Sequence, residues 1–388
     1  MKVVILAGGF PQDQPLHQRI APGKITGQTI SGKGPLMQKQ TIQNHTLYAL
    51  EGISCILIVF CHFPFPGKWG LLTFSLCRFV VPLFFLISGY YLFPADMTRQ
   101  DKKQRLKAKV RRIGRLLLLS MAAYLAWTLL KVAIRENAAS AVEFLRELAA
   151  PRKLFAFLVL NDVTEIGGHL WFLGALLYGY AILLPAVGTK AEALIVRFWP
   201  LPLAFHLLLR IGMSLAGIDS IGGIAVYRWV RNWAFTGLPF LAAGIWIRRN
   251  EQAFLRALPG KRRRILLITG VFLTVVEEAL VHRFTGEDRE LYFGTFPILA
   301  ALFAWALACP EQKGLRLWAQ IGKRHSTFIY IAHLAVGEAV CMLLGKTGLS
   351  RLPPVPYCVP FLTAAITLAA AVLWRRAAAR FRPLTPKR

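Results

Sequence analysis

The feature that most restricts what this chain can fold into is an alternation of long apolar runs with short clusters of lysine and arginine. A helix that crosses a bilayer needs roughly 17–25 apolar residues. About ten runs approach that length, near 46–63, 70–93, 114–134, 168–187, 195–217, 232–247, 265–281, 291–309, 326–345 and 354–374. Hydrophobic residues fill 55% of the 388 positions and charged residues only 17%, with a mean hydropathy of +0.48. Such a balance suits a chain folded inside lipid rather than a soluble domain. The expected fold is an all-α integral membrane protein, a bundle of about ten transmembrane helices.

The formal charge of +28 would suggest nucleic acid in a polar protein. Here the cations sit between apolar runs, as in loops lying against anionic membrane lipid, so no nucleic-acid partner is expected. "RQDKKQRLKAKVRRIGR" follows the second run, "RRN…RALPGKRRR" the sixth, "KGLRLWAQIGKRH" the eighth and "RRAAARFRPLTPKR" the tenth. The loops after odd-numbered runs carry far less positive charge. By the positive-inside rule both termini are cytoplasmic. The six cysteines (55, 61, 77, 309, 341 and 358) have no metal-type spacing and read as small hydrophobes, so no metal is expected.

Residues 1–45 differ from the rest. "MKVVILAGGF" has the look of a strand and a glycine turn, but no Gly-x-x-Arg continuation follows it, and about 40 residues cannot build a nucleotide-binding domain. A poorly ordered cytoplasmic tail is expected, or a start site placed too early. Residues 46–376 would form the membrane domain and 377–388 a second basic cytoplasmic tail. Between the third and fourth runs, residues 136–162 have mixed polarity and suit an amphipathic segment on the outer membrane surface.

The candidate functional residues are those whose burial in a membrane would be expensive. In "ALEGISCILIVFCHF" (49–63), Glu51 and His62 are eleven positions apart, so they share a helix face about 16 Å apart along the axis. His62, whose ordinary pKa lies near neutrality, is the obvious proton-transfer centre toward a hydroxyl. Arg78 lies within the second run at nearly the depth of Glu51, and an ion pair between them, or a protonated Glu51, is expected. His169 and Trp171 open the fourth run and Arg231 and Asn232 the sixth; interfacial anchoring is the alternative for the first two. Glu277 and Glu278 lie near the outer end of the seventh run, and His333 lies in the ninth, where it could simply hydrogen-bond a neighbouring helix. Ser88, beside Gly89, could be a small residue that lets helices approach.

In this order, "LEGISCILIVFCHF", "RFVVPLFFLISGYYLF", "KVRRIGRLLLL", "HLWFLGALLYGY", "RNWAFTGLPFLAAGIWI" and "STFIYIAHLAV" resemble acyltransferase family 3, the bacterial inner-membrane O-acyltransferases, over about residues 46–374. The resemblance implies ten spans and no bound cofactor. It also implies an acyl-coenzyme A co-substrate at the cytoplasmic face, and an acceptor hydroxyl on a surface polysaccharide or its lipid-linked precursor outside. The acyl group is expected to be acetyl. His62 falls on the histidine of the family's signature, a basic residue followed by ten others and then histidine. The basic position is Glu51 here, a departure that gives Glu51 and Arg78 a supporting or structural role. Arg111, Arg112 and Arg115 would dock the donor's phosphates. His169, Trp171, Arg231 and Asn232 would bind the acceptor. A transporter or flippase of a lipid-linked sugar, and a catalytically impaired membrane sensor, are the alternatives.

Overall fold

The computed structural model describes residues 44–94, 96–286 and 289–380. Residues 1–43 and 381–388, which hold nearly all of the first expected tail and most of the second, lie outside the described residues. α17 continues to Arg380, so the first four residues of the second expected tail are helical.

Apart from turns and loops, the described chain is helical except for one short hairpin, Ser220–Ile221 against Ile224–Ala225. In chain order the helices are α1 (His45–His62), α2 (Lys68–Leu76), α3 (Val80–Tyr90), α4 (Arg99–Arg135), α5 (Ala138–Leu148), α6 (Pro151–Leu160), α7 (Thr164–Gly167), α8 (Trp171–Ala186) and α9 (Lys190–Arg197). There follow α10 (Pro200–Leu215), α11 (Val226–Val230), α12 (Leu238–Arg249), α13 (Glu251–Ala257), α14 (Gly260–Phe284), α15 (Thr295–Ala308), α16 (Arg316–Lys346) and α17 (Val355–Arg380).

All ten apolar runs fall on helices, but the expected count of ten spans is not met. Among the described residues seven stretches are long and apolar enough to cross a membrane, or eight if α9 and α10, bent by 47°, count as one. Proline explains the bend, because Pro200 and Pro202 have no N–H to donate to the carbonyls of Val196 and Phe198. The sixth run opens as a π-turn, Trp233–Gly237, where Pro239 likewise cannot donate to the Phe235 carbonyl. Its α-helical part, α12, has only 12 residues and ends on Arg248 and Arg249. α15, in the eighth run, has 14 residues, about 21 Å against a hydrocarbon core of about 30 Å.

The outward faces are apolar. Leu118 and Leu130 on α4, Ile268 and Phe272 on α14, and Phe361 and Leu373 on α17 are all exposed, as lipid-facing side chains are. α5 and α6 expose Val142, Leu145, Leu154 and Leu158, matching the amphipathic segment expected there.

Two close crossings set the frame. α1 and α16 run parallel and touch at Gly52 and Gly322. A Cβ on Gly52 would collide with the Trp318 carbonyl, and one on Gly322 with the Tyr48 carbonyl. Gly89 and Gly244 do the same for α3 and α12, against the Leu241 and Leu86 carbonyls. Small residues give such helices backbone-to-backbone dispersion contact, which replaces the missing hydrophobic drive in lipid. Ser88, beside Gly89, is buried at this second crossing. The basic clusters gather at one end of the bundle. There Arg249 pairs with Glu192, Arg375 donates to the Arg324 carbonyl at 3.3 Å, and Arg263 to that of Ala304 at 3.1 Å.

Candidate functional site

From this basic end a cavity of about 270 Å³ rises between α1, α3, α4, α8 and α16. α4 supplies Arg105, Lys109, Arg112 and Leu116 to its wall, the i, i+4, i+7 and i+11 positions of a single helix face. Lys109 Nζ lies 5.4 Å from the centre of the Tyr180 ring, and Arg105 Nη2 donates to the Tyr91 carbonyl at 3.1 Å. Deeper in, Phe84, Phe172 and Leu176 make the wall apolar, and Tyr330 closes it. Of the three arginines expected to dock phosphate, only Arg112 lines the cavity. Arg111 and Arg115 are exposed on other faces of α4. Sequence reasoning missed Arg105 and Lys109, although stepping back three and seven residues from Arg112 finds both.

Glu51 lines the same cavity from α1. It is 1% exposed, and neither carboxylate oxygen has a hydrogen-bond partner. The expected pair with Arg78 does not form. Arg78 sits in a 3-10 turn, Cys77–Phe79, between α2 and α3, with its guanidinium 3.7 Å over the Phe74 ring. Pro82 causes the break, since it cannot donate to the Arg78 carbonyl four residues earlier. Equal depth along two helices does not place two side chains on facing sides.

Above Tyr330 stand three imidazoles. The His62 and His333 ring centres are 5.1 Å apart, those of His169 and His333 5.1 Å, and those of His62 and His169 6.3 Å. His169 and His333 are 3% and 0% exposed. His62 is the exposed member of the three. Among the described residues no group of three or more His, Cys, Asp or Glu is arranged to hold a metal ion.

Tyr124, which sequence reasoning also missed, braces this cluster. Its hydroxyl donates to the Ile331 carbonyl at 2.6 Å and accepts from the Ala335 N–H at 3.2 Å, bridging the two groups that a regular helix joins to each other. His169 Nε2 also reaches the Ile331 carbonyl, at 3.2 Å. Tyr330 donates from its hydroxyl to the His169 carbonyl. The spacing Tyr330–His333, one helical turn, was the available signal for that second tyrosine.

The remaining candidates divide by what their polar atoms do. The Arg231 guanidinium lies 4.8 Å from the Tyr227 ring centre and 5.6 Å from that of Trp171, and it acts electrostatically on His62 together with Arg78. Trp171 is 8% exposed, an interior position rather than an interfacial one. Asn232 is committed to the backbone: its Oδ1 accepts from Ala234 and Phe235 at 2.9 and 3.2 Å, and its Nδ2 donates to Trp229 at 2.7 Å. It caps the π-turn and has little left for an acceptor. Glu277 accepts from the Phe293 N–H at 2.7 Å and faces Arg289 at 3.6 Å, while Glu278 accepts from the Tyr292 hydroxyl. Both glutamates thus tie the segment before α15 to α14 rather than reaching for headgroups.

Fold and site together define a helical membrane protein with a basic-rimmed cavity at one end, and a histidine cluster reached from the other. A family model described as an acyltransferase domain, acyltransferase 3, matches residues 44–374; the chain belongs to that family. No curated protein and no solved structure matches it.

Proposed function

We propose that this membrane acyltransferase moves an acyl group, acetyl in the expected case, from cytoplasmic acyl-coenzyme A to a hydroxyl of an extracytoplasmic polysaccharide or its lipid-linked precursor. The observation that carries the proposal is the continuity of one cavity, from cations at the basic end, past an apolar neck, to Tyr330 beneath three histidines. A donor with that order of chemistry has phosphates, then a slender arm, then a thioester. Arg105, Lys109 and Arg112 would meet the phosphates by charge-assisted hydrogen bonds. A neighbouring cavity of about 940 Å³, lined by Tyr91, Lys102 and Arg248, leaves room for the nucleotide end.

His62 is the general base in this scheme. It removes the acceptor's proton as the hydroxyl oxygen attacks the thioester carbon, and the thiolate leaves toward the basic end. On this reading the basic end faces the cytoplasm of a bacterial inner membrane, which the positive-inside rule supports. Glu51, in place of the family's basic residue, lies in the wall of this cavity beside the path proposed for the donor.

The test is donor turnover by purified protein in lipid nanodiscs, with a polysaccharide or lipid-linked acceptor. Wild type should consume acyl-coenzyme A in an acceptor-dependent way, and His62→Ala should lose about 10²–10⁴-fold in rate at unchanged yield. Acceptor movement across the membrane without donor consumption would instead establish a flippase.

A further inference from the structure

In the acyltransfer scheme above, the acceptor hydroxyl loses a proton and the leaving thiolate gains one. We propose that His333 relays it, taking the proton from His62 and delivering it to the leaving sulfur, with His169 holding the cluster in register. The proposal rests on the acyltransfer scheme above and adds a residue to it.

The geometry fixes which nitrogens carry hydrogen. His333 Nδ1 lies 2.8 Å from the Tyr330 carbonyl and 3.1 Å from that of Ile329. A carbonyl oxygen only accepts, so Nδ1 bears the hydrogen and Nε2 holds a bare lone pair. By the same reasoning His169 carries hydrogen on Nε2, which meets the Ile331 carbonyl at 3.2 Å, and Nδ1 is bare. Neither bare nitrogen has a hydrogen-bond partner, and both rings are buried. An unsatisfied buried acceptor is costly, and here two of them lie beside the one exposed imidazole, each with a lone pair free to take a proton. Among the described residues no carboxylate forms an ion pair with any of the three rings. The charged groups acting on His62 are the cations Arg78 and Arg231, and the tyrosines against His169 are Tyr124 and Tyr330. Nothing here would hold an imidazolium at rest, which suits a group that is cationic only in passing.

The step balances. The acceptor O–H bond breaks and its oxygen bonds the acyl carbon, while the carbon–sulfur bond breaks with its electron pair going to sulfur. His62 takes the proton on one nitrogen and, once the two rings, 5.1 Å apart between centres, turn into hydrogen-bond reach with substrate bound, gives the hydrogen of its other nitrogen to His333 Nε2. His333 then protonates the thiolate, and Nδ1–H stays on the Tyr330 carbonyl throughout. His62 regains its starting tautomer by exchange with water at its exposed edge.

The experiment compares wild type, His62→Ala, His333→Asn and His333→Ala in nanodiscs with acyl-coenzyme A and acceptor. The asparagine amide N–H can replace Nδ1–H on the backbone carbonyls but offers nothing in place of Nε2. His333→Asn should therefore fold and keep its donor KM within about twofold, yet lose about 10²-fold or more in kcat. Imidazole in the buffer should restore part of the rate of His333→Ala. Wild-type kcat in His333→Asn overturns the relay, as does a loss in both variants that imidazole does not rescue, which would mark a structural role. A wild type that turns over no donor overturns the acyltransfer scheme itself, and the relay with it.

Discussion

If the cations of the α4 cavity face bind the donor, removing one should weaken donor binding, whereas removing an equal charge one residue away should not. Lys109 and Arg112 line the cavity, while Arg111 and Arg115 are exposed on other faces of the same helix. All four contribute alike to net charge and to the positive-inside signal, so Gln substitutions at the two pairs differ only in direction around the helix. A hydrogen bond to a charged group contributes about 1.5–3 kcal/mol, and each 1.4 kcal/mol is a factor of about ten. Lys109→Gln and Arg112→Gln should each raise the KM for acyl-coenzyme A about 10- to 100-fold with kcat little changed. Arg111→Gln and Arg115→Gln, as exposed substitutions, should stay within about ±0.5 kcal/mol, near twofold. Initial rates against donor concentration in nanodiscs measure this, with thermal unfolding as the check on folding. Equal KM effects at Arg111 and Lys109, or none at Lys109, would refute the assignment of this face.

Two further expectations concern α1. Glu51→Gln and Arg78→Gln should change stability additively within about 0.3–0.5 kcal/mol, because the two groups share no contact; recovery of yield in the double variant would show a pair after all. Gly322→Val should lower folded yield sharply in mild detergent, because its side chain would meet the Tyr48 carbonyl of α1, while Gly314→Val, with open space around its Cα, should not. Similar yields for the two would show that the α1–α16 crossing is not the frame of the site.

The class of fold could be read from composition and run length, because a bilayer sets both by its thickness and its lack of hydrogen-bond partners. The place of His62 at the end of α1 could be read too, since it follows from run length alone. Prolines decided much of what could not. Pro82, Pro200 and Pro239 lie inside apolar runs that look continuous, and each breaks a helix where hydropathy changes little. That shifted Arg78 into a turn and reduced the count of full-length spans. Depth along a run was legible, but direction around the helix was not: Arg111 and Arg112 look equivalent until α8 and α16 fill one side of α4. The meeting of His169 and His333 with His62 was equally hidden, since it depends on how three helices far apart in sequence register against each other. Asn232 looked like an acceptor ligand because capping demand at a π-turn is invisible in a hydropathy pattern.

The central claim is transfer between two sides of a membrane, and sidedness tests it most directly. The purified protein would be reconstituted in sealed vesicles with a hydroxyl acceptor enclosed, and acyl-labelled coenzyme A supplied only outside. In the fraction oriented with its basic end outward, label should appear on the enclosed acceptor while the donor stays outside, and His62→Ala should abolish it. Label found only when donor and acceptor share a compartment would contradict the account.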